Sequence, residues 1–264
     1  MEWLPAYVLL GAFVGFLAGL LSIGGGMSMV PIITMMFVAQ HFPQEHLLHL
    51  AVGTSLATVV FTSISSLRTH HAHGAVRWDI VKTIGPGAVL GTLAGSFFAG
   101  TVSTRWLALF FSGFVYIAAT QMLLNLHPKS ARSLPGPLPM FGIGAVIGGI
   151  SSLVAAGGAL MTIPFMTWCN VKLHDAIGTS AAIGLPIAVA GSIGYIAGGW
   201  DKPGLPPYSL GFIYLPALAG VVIASILTAP IGARLTHRLP VVKLKRLFAL
   251  LLYILATKML FTVL

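Results

Sequence analysis

Two glycine clusters are the residues of this chain best suited to hold a ligand through the backbone. Gly24-Gly25-Gly26 and Gly157-Gly158-Ala159 interrupt apolar stretches that otherwise have the composition of helices. Each glycine costs about 1 kcal/mol against alanine inside a helix, so glycines in a row indicate a break. A helix that begins after a break directs free N–H groups and the positive end of its dipole into the space before it. We therefore predict an anion site at Gly24, Gly25, Gly26, Gly157 and Gly158.

A pair of hydroxyl residues follows each cluster, one helical segment further along the chain. The pairs are Thr54-Ser55 and Thr179-Ser180, each at the end of an Ala-x-Gly-Thr-Ser pentad. Hydroxyl groups can donate hydrogen bonds to an oxyanion without adding charge. In membrane helices they also bond to their own helix or to a neighbour, so packing is the alternative role. We predict that Thr54, Ser55, Thr179 and Ser180 contribute to substrate binding.

Two histidines occupy matching positions before the pentads. His49 and His174 each precede the alanine of the pentad by two residues, and imidazole changes charge near neutral pH. They are candidates for proton coupling, with simple solvation at a helix start as the alternative. A separate histidine cluster at residues 70–73 has no acidic or cysteine partner, so it predicts a basic loop instead of a metal site. No metal ion or other cofactor is expected.

These candidates occur twice because the chain is an internal duplication. The matched positions are Gly11, Gly15, Gly24, Gly25 and Pro31 with Gly144, Gly148, Gly157, Gly158 and Pro164, then the two pentads, Pro86 with Pro216, and Tyr116–Thr120 with Tyr253–Thr257. The spacing changes only between matched blocks, which is typical of insertions in loops. We predict an N-terminal repeat at 1–126, a linker at 127–137 and a C-terminal repeat at 138–264. The glycines spaced by four, at 11, 15, 144 and 148, are expected to allow close helix packing.

The composition places the chain in a membrane. Hydrophobic residues make up 57% of the 264 residues and charged residues 7%, whereas about a quarter of the residues in a soluble domain are charged. We predict an all-α integral membrane protein with five apolar segments in each repeat, giving 8–10 transmembrane or re-entrant segments with glycine-broken helices. The segments are 3–23, 27–39, 46–67, 83–104, 106–126, 138–156, 160–170, 174–199, 209–233 and 241–263. Segments 27–39 and 160–170 are short for a ~30 Å bilayer, so either a span or a re-entrant hairpin is open.

The basic residues set the orientation. A net charge of +9 in a soluble protein would suggest nucleic acid, but here the basic residues stand between apolar spans, so no nucleic-acid partner is expected. Each repeat either reverses the chain five times or crosses three times with one hairpin that returns to its own side. In both cases one face collects eleven basic residues and the other three: Arg68, Arg77, Lys82, Lys129, Arg132, Lys172, Arg234, Arg238, Lys243, Lys245 and Arg246 against Arg105, Lys202 and Lys258. A single crossing for each glycine-broken pair would divide these residues almost evenly, so the uneven division favours an odd count. The positive-inside rule then predicts inverted repeats, a cytoplasmic linker and both termini outside.

The few acidic residues limit the substrate. They are Glu2, Glu45, Asp79, Asp175 and Asp201, and none is deep in a predicted span. Cation carriers usually need a membrane-embedded carboxylate, so a permease for a cation or neutral solute is the less favoured alternative. An intramembrane enzyme is the alternative from another class, and no H-E-x-x-H or G-x-S-x-G motif supports it. The missing P-loop indicates coupling to a gradient of an ion such as H⁺ or Na⁺, or to the membrane potential, unless another subunit supplies ATP.

The doubled pattern of glycine break, proline and Ala-x-Gly-Thr-Ser resembles the TauE/SafE sulfite exporter family. Its clearest stretch is Gly15-x-x-x-Gly19-Leu-Leu-Ser-Ile-Gly24-Gly25-Gly26-x-x-x-x-Pro31, and the resemblance covers essentially the whole chain. It implies a secondary transporter of a small oxyanion, such as sulfite or sulfoacetate, in a bacterial cytoplasmic (inner) membrane. The second half departs from the pattern at Ala156 and Ala159, which stand in place of Ile23 and Gly26. The two halves are therefore expected to contribute unequally to the site.

Overall fold

The protein is a bundle of helices. A computed structural model describes residues 3–21, 25–124, 133–236 and 241–263. The helices in these ranges are α1 (Leu4–Leu21), α2 (Gly26–Ala39), α3 (Leu47–Ala72), α4 (Trp78–Ala99), α5 (Thr104–Leu123), α6 (Pro137–Val154), α7 (Ala159–Trp168), α8 (Leu173–Gly199), α9 (Leu215–Thr236) and α10 (Val241–Val263). A short antiparallel hairpin, β1 (Ser209–Leu210) and β2 (Ile213–Tyr214), precedes α9. The predicted all-α membrane class is confirmed.

Within the described ranges, seven helices are long and apolar enough to cross a membrane: α3 to α6 and α8 to α10. The apolar helices α1, α2 and α7 are shorter by the same measure. With 14 and 10 residues, α2 and α7 reach about 21 and 15 Å at 1.5 Å per residue. The short second segment of each repeat is therefore confirmed, while whether it spans or re-enters stays open.

One predicted segment is wrong at its start. The apolar run 209–233 was expected to be a single helix, but its first six residues form the hairpin and α9 begins at Leu215. Gly211 has a φ of 55°, in the left-handed region that glycine adopts without a steric cost. Hydropathy does not separate a buried turn of this kind from the helix that follows it.

Glycines bring helices of the two halves into backbone contact. A Cβ atom added to Gly11 would lie 2.4 Å from the carbonyl oxygen of Val221, and one added to Gly144 would lie 2.3 Å from that of Ile84. Gly15 and Gly148 make the equivalent contacts one turn later, against Ser225 and Ala88. The packing role predicted for the four glycines is confirmed, and α1 is seated on α9 as α6 is on α4.

The same contacts correct the alignment of the repeats. They make Ile84 the counterpart of Val221 and Ala88 the counterpart of Ser225. Pro86 therefore corresponds to Ile223, and its pairing with Pro216 is wrong. Proline lacks an N–H and is found where a helix can spare one, so two prolines in similar apolar runs are a poor guide to register.

Equivalent helices contact each other through exchanged pairs. The Tyr116 hydroxyl of α5 lies 2.7 Å from Thr257 Oγ1 of α10, and Thr120 of α5 bonds to Tyr253 of α10. The two tyrosine rings stack with centroids 5.6 Å apart. An exchange of this kind is what a two-fold relation produces, and the pairing makes α5 and α10 antiparallel. Inverted repeats would have this geometry, but their orientation in the membrane stays a prediction.

The two halves also share a hydrophobic core cluster. Its buried residues include Val30, Leu50 and Phe111 from the first half and Tyr195 and Ala249 from the second. Helices α3 and α8 cross through it in opposite directions, since Gly53 approaches Tyr195 while Gly184 approaches Ser63. This crossing holds the two glycine clusters near the midpoints of α3 and α8.

Candidate substrate site

The second glycine cluster is a true helix break. Helix α6 ends at Val154, and α7 begins at Ala159. Between them Ala155, Gly157 and Gly158 have φ angles of 51°, 58° and 79°. Glycine adopts this left-handed region freely, whereas alanine does so at a steric cost. The broken helix predicted for the second half is confirmed.

The first cluster needs its glycines for a different reason. Gly24 lies outside the described residues. Gly25 has an ordinary helical φ of −61°, so the expectation of an unusual backbone there is wrong. A Cβ at Gly25 would instead lie 2.5 Å from Val14 Cγ1, and one at Gly26 would lie 2.1 Å from the carbonyl oxygen of Ala155. Close contact, and not backbone conformation, requires glycine at these two positions.

The contact between Gly26 and Ala155 brings the two breaks together. They meet beside the middle of α3, where a Cβ on Gly157 would lie 3.5 Å from Val59 Cγ1. They also meet beside the middle of α8, where a Cβ on Gly184 would lie 2.9 Å from the Gly157 carbonyl oxygen. Non-helical backbone at such depth in a membrane must be buried in protein or line a polar cavity.

Three buried hydroxyls surround the second break. Ser180 Oγ lies 2.6 Å from Thr162 Oγ1, and the Thr162 hydroxyl donates to the carbonyl oxygen of Gly158 at 3.0 Å. Ser151 Oγ would lie 3.8 Å from a Cβ on Gly158, and it has no hydrogen-bond partner among the described residues. Sequence reasoning proposed Ser180 but missed Ser151 and Thr162. Their helical spacing around the break, one turn after Gly158 for Thr162, could have found them.

The first break lacks this hydroxyl set. The positions equivalent to Ser151 and Thr162 are Ala18 and Met29. Ser55, the counterpart of Ser180, is fully buried and has no hydrogen-bond partner among the described residues. The crevice beside the first break, lined by Val14, Ala18, Gly25, Met29, Thr58 and Ser225 among others, has room for about one water molecule. The conformation is therefore closed beside the first break.

The pentad threonines serve another purpose. Thr54 Oγ1 accepts a hydrogen bond from the backbone N–H of Tyr214 at 3.0 Å, and Thr179 Oγ1 accepts one from Arg77 at 2.9 Å. Tyr214 and Arg77 are the residues directly before α9 and α4. Each threonine thus holds the loop that leads into the fourth helix of the other half. A role in anion binding for Thr54 and Thr179 stays a prediction.

The glycine of each pentad contacts the same loop that the threonine of that pentad holds. A Cβ on Gly53 would lie 2.3 Å from the Phe212 carbonyl oxygen, and one on Gly178 would lie 2.4 Å from that of Ala75. The pentad is therefore repeated for a packing reason that needs no ligand.

The loops before α4 and α9, which Thr179 and Thr54 hold, differ in charge. The Arg77 guanidinium makes two hydrogen bonds to the Asp79 carboxylate, which raise the pKa of Arg77. Tyr214 stands at the equivalent position in the other loop, where burial raises the pKa of its phenol. The loop before α4 therefore carries an ion pair, whereas the loop before α9 presents an aromatic ring.

The matched histidines lie in different surroundings. His49 is buried, with Nε2 2.8 Å from the Ala99 carbonyl oxygen and its ring 5.0 Å from that of Phe212. His174 is exposed, and its Nδ1 lies 4.0 Å from a carboxylate oxygen of Asp175. Solvation at a helix start thus describes His174 and not His49. Proton coupling through the pair stays a prediction.

A separate cavity lies away from the two breaks. A cavity of about 520 Å³ is lined by Arg77, Ser133, Lys172 and Asp175 among others, and none of its lining residues belongs to a break. In the part of the chain that the structure describes, no group of three His, Cys, Asp or Glu residues could hold a metal ion. The chemistry available at the breaks is hydrogen bonding by hydroxyl and backbone groups.

Comparison with known proteins identifies a family of membrane transporters. The family described as "Sulfite exporter TauE/SafE" matches residues 7–259. A "Probable membrane transporter protein" of Haemophilus influenzae is 37% identical over 254 residues, which cover 96% of each chain. The probable membrane transporter protein YdhB of Bacillus subtilis is 25% identical over 245 residues, which cover 90% of this chain and 92% of that one. No solved structure gives a significant match.

A third relative matches over a shorter length. The probable inner membrane transporter protein TsaS of Comamonas testosteroni is 28% identical over 182 residues, or 67% of this chain and 70% of that protein. The family match spans both breaks, both pentads and the exchanged tyrosine pair. The protein is therefore a multi-pass membrane transporter and not an enzyme, and the chain belongs to the TauE/SafE sulfite exporter family.

Proposed function

We propose that this transporter carries a small oxyanion, such as sulfite or an organosulfonate like sulfoacetate, across a bacterial cytoplasmic (inner) membrane. The observation that carries the proposal is the meeting of the two breaks, with Gly26 against the Ala155 carbonyl and buried hydroxyls beside Gly158. Backbone N–H and hydroxyl groups donate to an anion without a fixed charge. A ligand held in this way can be released again once the donors separate.

The position of the carboxylates supports an anion over a cation. Glu45 lies in the turn before α3, Asp79 and Asp175 lie in the first turns of α4 and α8, and Asp201 lies in the loop after α8. None of these described acidic residues lies at a break. A cation brought there would meet only neutral oxygens, whereas intramembrane cation sites usually contain a charged partner.

Alternating access follows from the way the halves interlock. Helix α1 packs against α9, and α6 packs against α4. If the α4–α6 pair moves relative to the crossed helices α3 and α8, Ala155 at the end of α6 moves with it, and its contact with Gly26 changes. Broken-helix transporters expose one central site to either side by such rocking. The driving force is an H⁺ or Na⁺ gradient or the membrane potential, with His49 and His174 as the groups proposed for proton coupling.

Purified protein in liposomes tests the proposal. We expect gradient-driven uptake of sulfite or sulfoacetate. The uptake rates of thiosulfate, sulfate and a neutral solute of similar size are measured in the same way, and the neutral solute should enter more slowly than the transported anion. Gly158→Val should abolish flux, since a β-branched side chain is strained at a φ of 79° and its Cβ would meet Ile187 Cδ1 at 2.8 Å. Gly142→Ala is the control, because no heavy atom lies within 4 Å of the added Cβ. Equal flux of the neutral solute and the anions would refute an anion transporter.

A further inference from the structure

Ser151 is an unusual hydroxyl for a membrane helix. Its side chain is fully buried, and no hydrogen-bond partner is found for Oγ among the described residues. Other buried hydroxyls in the bundle bond to the carbonyl four residues earlier, as Thr58, Thr92 and Ser96 do. A buried hydroxyl left without a partner costs about 1–3 kcal/mol, and such a group in a native protein calls for an explanation.

The location of Ser151 supplies one. Its Oγ would lie 3.8 Å from a Cβ on Gly158, and the carbonyl oxygen of the same Gly158 accepts a hydrogen bond from Thr162, whose Oγ1 lies 2.6 Å from Ser180 Oγ. Thr162 and Ser180 are also fully buried. Helices α6, α7 and α8 thus each contribute one hydroxyl to the same short stretch of left-handed backbone. Each hydroxyl can donate one hydrogen bond, and Thr162 donates its own to Gly158, whereas the Ser151 hydroxyl has no partner among the described residues and can donate to a further acceptor.

The first half offers no equivalent set. Ala18 and Met29 replace Ser151 and Thr162, which leaves Ser55 with neither neighbour. At these two positions the first break presents the apolar side chains of Ala18 and Met29. The hydroxyls described beside it, Ser28, Thr58 and Ser225, each donate to a backbone carbonyl oxygen. Among the described residues, a set of three neighbouring hydroxyls that includes an unpartnered one therefore occurs at the second break.

We propose that Ser151, Thr162 and Ser180, all from the second half, form the oxyanion-binding set of the transporter. The inference rests on the proposed transport of an oxyanion and names the residues that hold it. Ser151 donates its free hydroxyl to one anion oxygen, and the Thr162–Ser180 pair turns one hydroxyl toward another. In the closed conformation Ile147 and Ile187 cover Gly158, so the anion reaches the set when α8 moves relative to α6.

Ser151→Ala separates binding from folding. Removal of an unpartnered hydroxyl relieves a desolvation cost, so the variant should unfold at the same temperature as the wild type or a higher one. Its KM for sulfite should nevertheless rise about ten-fold, the effect of one lost hydrogen bond to a charged acceptor, with a smaller change in maximal flux. A merely structural serine would not combine normal stability with weaker binding.

Ser112→Ala is the matched control. Ser112 is likewise buried, and its Oγ has no hydrogen-bond partner among the described residues, but it lies in α5. The control should gain stability as Ser151→Ala does and keep the wild-type KM. At Thr162, Thr162→Ser should retain most of the affinity and Thr162→Val should lose it, because valine keeps the shape and removes the hydroxyl.

Anion-dependent thermal stabilisation provides a readout without flux. A ligand that binds only the folded protein raises its melting temperature, so sulfite should stabilise the wild type and Ser112→Ala more than Ser151→Ala. Wild-type binding and flux with an unchanged KM in both Ser151→Ala and Thr162→Val would overturn the hydroxyl set and leave the proposed function standing. A wild type that neither transports nor is stabilised by any oxyanion tested would overturn both.

Discussion

Gly26→Ala tests the meeting of the two breaks. The added methyl group would lie 2.1 Å from the Ala155 carbonyl oxygen, a backbone atom that no rotamer change can move. Contact distances between heavy atoms are about 3.5 Å, so one break must shift by roughly 1 Å relative to the other. Overpacking of this kind costs about 1–3 kcal/mol. Gly26 is the first residue of α2, so the gain in helix propensity is small and we expect net destabilisation.

The measurement has two parts. Thermal unfolding in detergent should show a lower melting temperature for Gly26→Ala, and liposomes containing the variant should show a loss of anion flux. Gly142→Ala is the control, because its Cβ meets open space within a helix and alanine gains about 1 kcal/mol there. If Gly26→Ala unfolds at the wild-type temperature and transports at the wild-type rate, the breaks do not touch and the proposed site loses its foundation.

Three further predictions concern the pentad threonines, the matched histidines and the membrane topology. Thr54→Val and Thr179→Val each leave a backbone N–H without its acceptor, so each should destabilise the protein by about 1–3 kcal/mol. Unchanged melting temperatures would show that these hydrogen bonds do not hold the loops. The double variant of His49→Gln and His174→Gln should lose the pH dependence of sulfite flux while binding is retained, and an unchanged pH profile would exclude proton coupling through them. A single cysteine at position 130, outside the described residues, should react only from the cytoplasmic side, as the positive-inside rule requires.

Helix positions were predictable because hydropathy reports them directly. Apolar runs indicated the number of segments and the shortness of α2 and α7, and the four-residue spacing of Gly11 and Gly15 indicated their packing role. The start of α9 was not predictable in this way, because the hairpin before it is as apolar as the helix. Its turn depends on Gly211, whose left-handed backbone lies against Ile196 in tertiary contact.

The candidate site was predictable only in part, because repetition was the sequence signal that pointed to it. Repetition found Gly157 and Gly158, whose backbone is indeed special, and Thr54 and Thr179, which prove to hold loops. It could not find Thr162, whose counterpart in the first half is a methionine. A pattern that must occur twice selects what both halves need in order to fold.

The same reasoning explains why the two halves share packing residues but differ in their hydroxyl residues. Two interlocked repeats must each solve the same packing problems, so Gly53 and Gly178 are both constrained by the loops they seat. A single anion held where the two breaks meet needs one set of donors, and a second set would add buried hydroxyls at a cost when the site is empty. The alanine at position 18, in place of Ser151, avoids that cost at the equivalent position of the first half. Residues that differ between the repeats are therefore the ones to which substrate binding should be assigned first.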